Sequence, residues 1–158
     1  MHCHRVSRVL PYTPDQLFDM VGDVDRYPEF VPWVTGMSAT APRVESAGIT
    51  SVDAQATVGF SVLKERFATR VRRDANKREI TVTLISGPFR KLRNLWLFQP
   101  HEDGCKVIFD IEFEFKSKML DLLLSANFDR AVNKLIACFQ ARAERLYGAE
   151  SPGAVEVA

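Results

Sequence analysis

The last third of the chain sets the terms for everything before it. Residues 118–147 contain neither proline nor glycine, and their apolar positions recur with the α-helical period. Leu120, Leu124, Phe128, Leu135 and Phe139 fall near one stripe, widened by Leu123, Val132, Ile136 and Leu146, while Lys134, Arg142 and Arg145 take the polar side. Gly148 stands where a C-terminal cap belongs. About thirty residues of helix at ~1.5 Å each reach roughly 45 Å. A helix that long, apolar along one side, has to lie across something large. The preceding segment supplies it. Between residues 107 and 115, Phe109, Ile111, Phe113 and Phe115 alternate with Asp110, Glu112 and Glu114, as in a half-buried antiparallel strand.

Upstream, residues 4–10 read as a first strand through Val6, Val9 and Leu10, broken by Pro11 and Pro14. Thr13 caps a short helix over residues 14–21, with Leu17, Phe18 and Val21 on one face. Asp25 caps a second helical turn that Pro32 closes. Strand signals then dominate residues 33–115. Val44, Ile49 and Val52 flank a turn at Ser46-Ala47-Gly48. Gly59 marks a bend between segments 52–58 and 60–73, and Asp74-Ala75-Asn76-Lys77 forms a turn. Ile80, Val82 and Leu84 alternate up to Gly87-Pro88. A strand over residues 92–98 and a turn at Glu102-Asp103-Gly104 complete the run.

This order predicts an α+β fold: a curved antiparallel sheet of about seven strands wrapped around one long C-terminal helix, with two short helices after the first strand. Residues 1–148 are expected to form a single domain and residues 149–158 a flexible tail. One helix cannot fill the concave face of so wide a sheet, so an internal cavity is expected between them.

Several function classes are disfavoured at this level. The net charge of +1 gives no global attraction to nucleic acid, and DNA is not an expected partner. No stretch approaches the ~18–20 apolar residues of a membrane-spanning helix, and the first residues lack the apolar core of a secretory signal. Cys3, Cys105 and Cys138 are odd in number and far apart, which suits a reducing cytoplasm, with peripheral contact at the inner membrane left open. His2 and His4 share a strand face that excludes Cys3, and no further His/Cys cluster accompanies them, so no metal is expected. Neither Cys105 nor Cys138 has a histidine partner in the pattern, and Asp23 and Asp25 read as turn formers, so no catalytic residue is assigned.

Three segments resemble a known family. Residues 17–33, Leu-Phe-Asp-Met-Val-Gly-Asp-Val-Asp-Arg-Tyr-Pro-Glu-Phe-Val-Pro-Trp, resemble the N-terminal signature of the coenzyme Q-binding START-like proteins, relatives of the polyketide cyclases. Gly87-Pro88-Phe89-Arg90-Lys91-Leu92-Arg93-Asn94-Leu95-Trp96-Leu97-Phe98 resembles their second signature. Phe113-Glu114-Phe115-Lys116-Ser117, followed by Phe139-Gln140-Ala141-Arg142-Ala143 and Tyr147-Gly148, resembles the third. The likeness runs over residues 4–148. It implies the helix-grip (START-like) fold and a hydrophobic ligand such as ubiquinone, bound as cargo with no cofactor, in support of respiratory electron transport. The group also includes bacterial ribosome-association toxins, which implies an alternative: binding the large ribosomal subunit and blocking subunit joining. A polyketide cyclase-like enzyme is the third reading, and it needs an acid–base pair in the cavity that the sequence does not supply.

On these readings the expected cavity or gate residues are Phe30, Val31, Trp33, Phe60, Phe67, Trp96, Phe98, Phe109, Phe113, Leu124, Phe128, Val132 and Leu135. The segment Phe30-Val31-Pro32-Trp33 reads equally as a gate over the mouth or as a plug for the sheet's open end. Glu65 shares strand parity with Leu63 and Phe67, and reads more simply as an edge carboxylate than as a ligand contact. Phe89, Arg90, Lys91 and Arg93 are the expected surface-docking group, facing a membrane, a respiratory complex or the ribosome. A solvated basic face is the plainer reading of that group and of Arg70, Arg72 and Arg73.

Overall fold

The computed structural model describes residues 2–60 and 63–148; the expected tail, 149–158, lies outside them, as do the side chains of Phe60, Leu63, Leu124 and Ser125. The first and last strands of the chain are partners. Strand β1 (His2–Leu10) runs antiparallel to β8 (Gly104–Phe115), from His2 opposite Phe113 to Leu10 opposite Cys105. Between them in sequence come β2 (Val34–Ala39), β3 (Arg43–Ser46), β4 (Ile49–Phe60), β5 (Leu63–Asp74), β6 (Glu79–Ser86) and β7 (Phe89–His101). The order across the curved, open sheet is β1-β8-β7-β6-β5-β4-β2, and β3 shares the β4 edge with β2. The count is eight strands instead of about seven, because the turn around Gly48 (φ 82°) is preceded by its own short strand.

From β4 to β8 each strand pairs with its successor, the expected consequence of short connections. Register shifts between Val34 and Gly36, Ala68 and Thr69, and Phe89 and Lys91 interrupt the ladder; such bulges bend a strand and increase its twist. At Gly104 (φ 132°) an added Cβ would sit 2.2 Å from the Leu10 carbonyl oxygen, so the β7–β8 turn requires glycine. Gly59 makes no break: β4 runs through it to Phe60.

Helix α1 (Pro14–Gly22) begins with a complete capping box. The Thr13 hydroxyl accepts from the Gln16 N–H at 3.1 Å, and the Gln16 side chain accepts from the Thr13 N–H at 3.0 Å. A 3-10 helix follows at Val24–Glu29, with Asp23 and not Asp25 at its first cap position. The long C-terminal helix is two helices, α2 (Lys118–Ser125) and α3 (Phe128–Tyr147). Asn127 leaves helical geometry (φ −120°, ψ 19°), and asparagine competes poorly for helix interiors because its side chain bonds locally. The 3.6 period hides so short an interruption. α3 alone spans about 30 Å. Gly148 does occupy the C-cap position, but with right-handed backbone (φ −61°).

Two ends of the concave face are filled differently. Under α1 and the second half of α3 the core is continuous: Leu17, Val21, Trp96, Phe98, Phe109, Ile136, Phe139 and Ala143 are all buried. Toward α2 a separate cluster of Phe89, Phe113 and Phe115 is joined by Phe67, Leu84, Leu92, Leu120 and Phe128. The space between these two clusters is the site.

Candidate ligand pocket

Register places the pocket floor. His2, Phe113 and Leu92 are opposite one another across β1, β8 and β7, and His4, Ile111, Asn94 and Val82 form the next row. Alternation turns the large members of these rows toward α3. The α3 side contributes Phe128, Ala131, Val132 and Leu135, which recur at three and four residues and so share a face. Between them lies a pocket of about 260 Å³, bounded further by Trp33, Val58, Phe67, Phe89 and Phe115. Lys134 is the one charged residue among the described lining; it is exposed, so it stands at the rim. The other end of the concave face keeps only about 20 Å³ of free space, between α1, β7, β8 and α3.

The roof is held by rings and by two histidines. Phe113 and Phe128 meet with centroids 4.3 Å apart, and Phe89 stacks on Phe115 at 4.6 Å with Phe67 edge-on at 5.3 Å. His2 lies on Phe113 (4.9 Å) with its Nε2 2.8 Å from the Asp121 carboxylate of α2. His4 meets Phe128 edge-on (5.9 Å) with its Nδ1 2.9 Å from Asp129 of α3. Asp121 also accepts from the Phe115 N–H at 3.0 Å. That backbone bond, then His2, holds its carboxyl below the usual range. The two histidines that open the chain therefore clip the α2–α3 corner to the sheet.

The expected cavity residues divide. Trp33, Phe67, Phe109, Phe113, Phe128, Val132 and Leu135 line the pocket. Trp96 and Phe98 do not; they are packed core, 4% and 2% exposed, with Trp96 against Phe109 and Phe139 and Phe98 against Phe18. Val31 is wholly buried and Phe30 packs on Phe139 (5.1 Å) and Tyr27 (5.7 Å), so of that segment only Trp33 reaches the pocket. Arg142 fixes the segment from α3: its guanidinium lies 5.1 Å above the Phe30 ring and bonds Glu29 at 3.0 Å. Hydrogen bonds from Arg26 and then Arg142 lower the Glu29 carboxyl's pKa. Phe60 and Leu124 have side chains outside the described residues. Sequence reasoning missed Val58, Leu92, Ile111, Phe115, Ala131 and Lys134; Ile111 and Phe115 carried the signal, alternating with Phe109 and Phe113.

Phe89 is not a surface residue. It is 9% exposed and belongs to the pocket wall, because the bulge after it turns the ring inward while its basic neighbours stay out. Arg90, Lys91 and Arg93 are exposed but lie beside acids of β8: Arg90 is 3.2 Å from Glu114, and Lys91 and Arg93 are 3.1 and 4.0 Å from Glu112. The other basic group is engaged likewise. Arg70 bonds Asp53 at 2.9 Å, Arg72 bonds Glu45 at 3.0 Å, and Arg73 bonds the Gly22 carbonyl at 2.9 Å. Arg90, Lys91, Arg93, Arg70 and Arg72 thus form solvated ion pairs across the sheet, whereas Arg73 is half-buried against the end of α1. Glu65 is half-buried, opposite pocket-lining Val58 in the ladder. Burial pushes the Cys105 thiol up to about 11 and raises that of Cys138, which disfavours the thiolate in both. No described helix is long and apolar enough to cross a membrane.

Comparison with known proteins matches residues 10–140 to the family described as polyketide cyclase/dehydrase and lipid transport. A protein of Rickettsia prowazekii (strain Madrid E) named ribosome association toxin RatA is 34% identical over 143 residues, 89% of this chain and 94% of its own length. The mitochondrial coenzyme Q-binding protein COQ10 homolog B of Xenopus laevis is 30% identical over 146 residues, 90% of this chain and 58% of its own length. Among solved structures, the 18 kDa protein CC1736 of Caulobacter crescentus is 59% identical, with a TM-score of 0.79 over 94% of this chain and 99% of that one.

Proposed function

The chain belongs to the polyketide cyclase/dehydrase and lipid transport family, and on that footing we propose that it is a non-enzymatic carrier of an isoprenoid quinone, held in the pocket between β4, β5, β7, β8 and α3. The observation that carries this reading is the lining itself: aromatic and aliphatic side chains throughout, with Lys134 the sole charged group among the described lining residues. An apolar cavity of that kind takes an apolar guest, and each buried CH₂ contributes about 0.8 kcal/mol. A volume of about 260 Å³ lies just below the usual range of roughly 300–1,000 Å³ for small-molecule sites. It accommodates a headgroup or the first isoprene units, so the remainder of a long tail leaves through the mouth. The name of the Xenopus relative supports the ligand class. Acid–base catalysis finds no pair of titratable groups in the described lining, which argues against the cyclase reading.

Titration with a short-chain ubiquinone analogue tests this directly. The chain has two tryptophans, and Trp33 lines the pocket. Saturable quenching of its emission in a Trp96→Phe protein, lost on Ala131→Phe, supports the reading; quenching that never saturates contradicts it.

A second reading has its own support. Several relatives that match over nearly their whole length bear the name ribosome association toxin, so contact with the ribosome is the alternative function. Co-sedimentation with ribosomal subunits at physiological salt is its test, and it does not depend on an occupied pocket.

A further inference from the structure

Helix α2 presents an unusual outer face. Met119, Leu122 and Leu123 are 80%, 72% and 59% exposed, at i, i+3 and i+4, so they share one side of the helix. They account for three of the large hydrophobic residues exposed anywhere in the described chain, and they are contiguous. Leu120 and Asp121 point the other way, into the Phe89–Phe113–Phe115 cluster and onto His2 and the Phe115 N–H. The apolar ridge is thus displayed by a helix anchored from beneath.

Basic residues outnumber acidic ones around the ridge. Lys116 and Lys118 flank it, and Arg130 and Lys134 continue on the exposed side of α3. Among the described residues none of these four has an acidic partner. The acids of the same corner are Asp121, turned inward onto His2, and Asp129, exposed beside His4. This differs from the Arg90–Lys91–Arg93 group, whose charges Glu112 and Glu114 offset.

We propose that the outer face of α2 docks on an anionic lipid bilayer, Met119, Leu122 and Leu123 entering the acyl boundary while Lys116, Lys118, Arg130 and Lys134 meet the headgroups. A single helix face with an apolar ridge and a basic margin is what an interfacial helix requires. Nucleic acid would satisfy the lysines and leave the ridge in water. Phe128 and Lys134, beside this corner, also belong to the pocket lining, so docking brings the Lys134 rim of the pocket to the bilayer. This inference rests on the carrier reading for its purpose and not for its surface.

Flotation with vesicles of phosphatidylcholine, with and without phosphatidylglycerol, tests it. The wild-type protein is expected to float only with the anionic vesicles. Lys116→Glu/Lys118→Glu and Met119→Asp/Leu123→Asp should each weaken binding about tenfold or more. Their circular dichroism and their quenching by the quinone analogue should stay unchanged, since all four positions are exposed. Equal flotation of variants and wild type, or a wild-type protein that floats with neither vesicle, overturns the proposal. Pelleting with ribosomal subunits that depends on the same lysines, without flotation, overturns it in favour of an RNA surface. Saturable quinone quenching without flotation would leave the carrier reading intact and remove only the docking surface.

Discussion

Phe113 of β8 and Phe128, the first residue of α3, meet with ring centroids 4.3 Å apart and planes inclined at 39°. The contact joins the sheet to the helix at the point where the C-terminal helices break, and it forms one wall of the pocket. Phe113 is 2% exposed, so Phe113→Ala should cost about 3–5 kcal/mol in urea unfolding. Phe128 is only half-buried and should cost less, about 2 kcal/mol. A double-mutant cycle should return a coupling of about 0.5–1.5 kcal/mol; strict additivity would mean the rings do not meet.

Ala131 offers the converse change. It lines the pocket together with Leu92, Phe113 and Leu135. Ala131→Phe fills space already present, so unfolding free energy should move by less than about 1.5 kcal/mol. Ligand uptake, read by quinone-analogue quenching, should disappear. Loss of several kcal/mol would mean that the pocket is closed in solution.

Phe89 and Arg90 are neighbours with opposite fates. Phe89→Ala should destabilise by about 2–4 kcal/mol, because the ring is sandwiched by Phe115 and Phe67. Arg90→Ala, which removes an exposed pair with Glu114, should cost less than about 1 kcal/mol. Chemical denaturation of the two proteins separates the cases.

That pair also marks where sequence pattern stops being informative. The alternation of Phe109, Ile111, Phe113 and Phe115 fixes a strand face, and the strands, α1 and a sheet covered by a C-terminal helix follow from such periods. Parity does not say what fills the space above a face. Trp96 and Phe109 are register partners on one concave row, yet Trp96 is sealed by Phe139 while Phe109 also borders the pocket. The difference lies in where α1 and the 3-10 helix cover the sheet. A bulge at Phe89 likewise moves one ring from surface to core without altering composition. The break at Asn127 is invisible to a 3.6-residue period, which places Leu123 on the apolar stripe although it is 59% exposed on α2.

The His2–Asp121 clip gives a pH dependence. The Asp121 carboxyl is lowered in the folded protein, first by the Phe115 N–H and then by His2. Its contribution is therefore fully present above the ordinary aspartate pKa of about 3.9 and is lost as pH falls toward the lowered value. Stability measured against pH should decline below about 4, and Asp121→Asn should flatten that decline. An unchanged slope would place the acid sensitivity at other carboxylates, such as Asp53, which Arg70 and Arg43 also hold low.

Thiol chemistry distinguishes the three cysteines. Cys3 is exposed, whereas Cys105 is fully buried with its pKa raised to about 11. Iodoacetamide near neutral pH should modify Cys3 first and Cys105 only on unfolding. Early modification of Cys105 would show that the β1–β8 edge opens readily.

The carrier account stands or falls on what the protein holds when it leaves its own cell. Purification from the native host without detergent, followed by organic extraction and mass spectrometry, reads this directly. The account predicts an isoprenoid quinone near one per chain, absent from the Ala131→Phe protein. An empty pocket in the wild-type protein, together with co-sedimentation on ribosomal subunits, would contradict it.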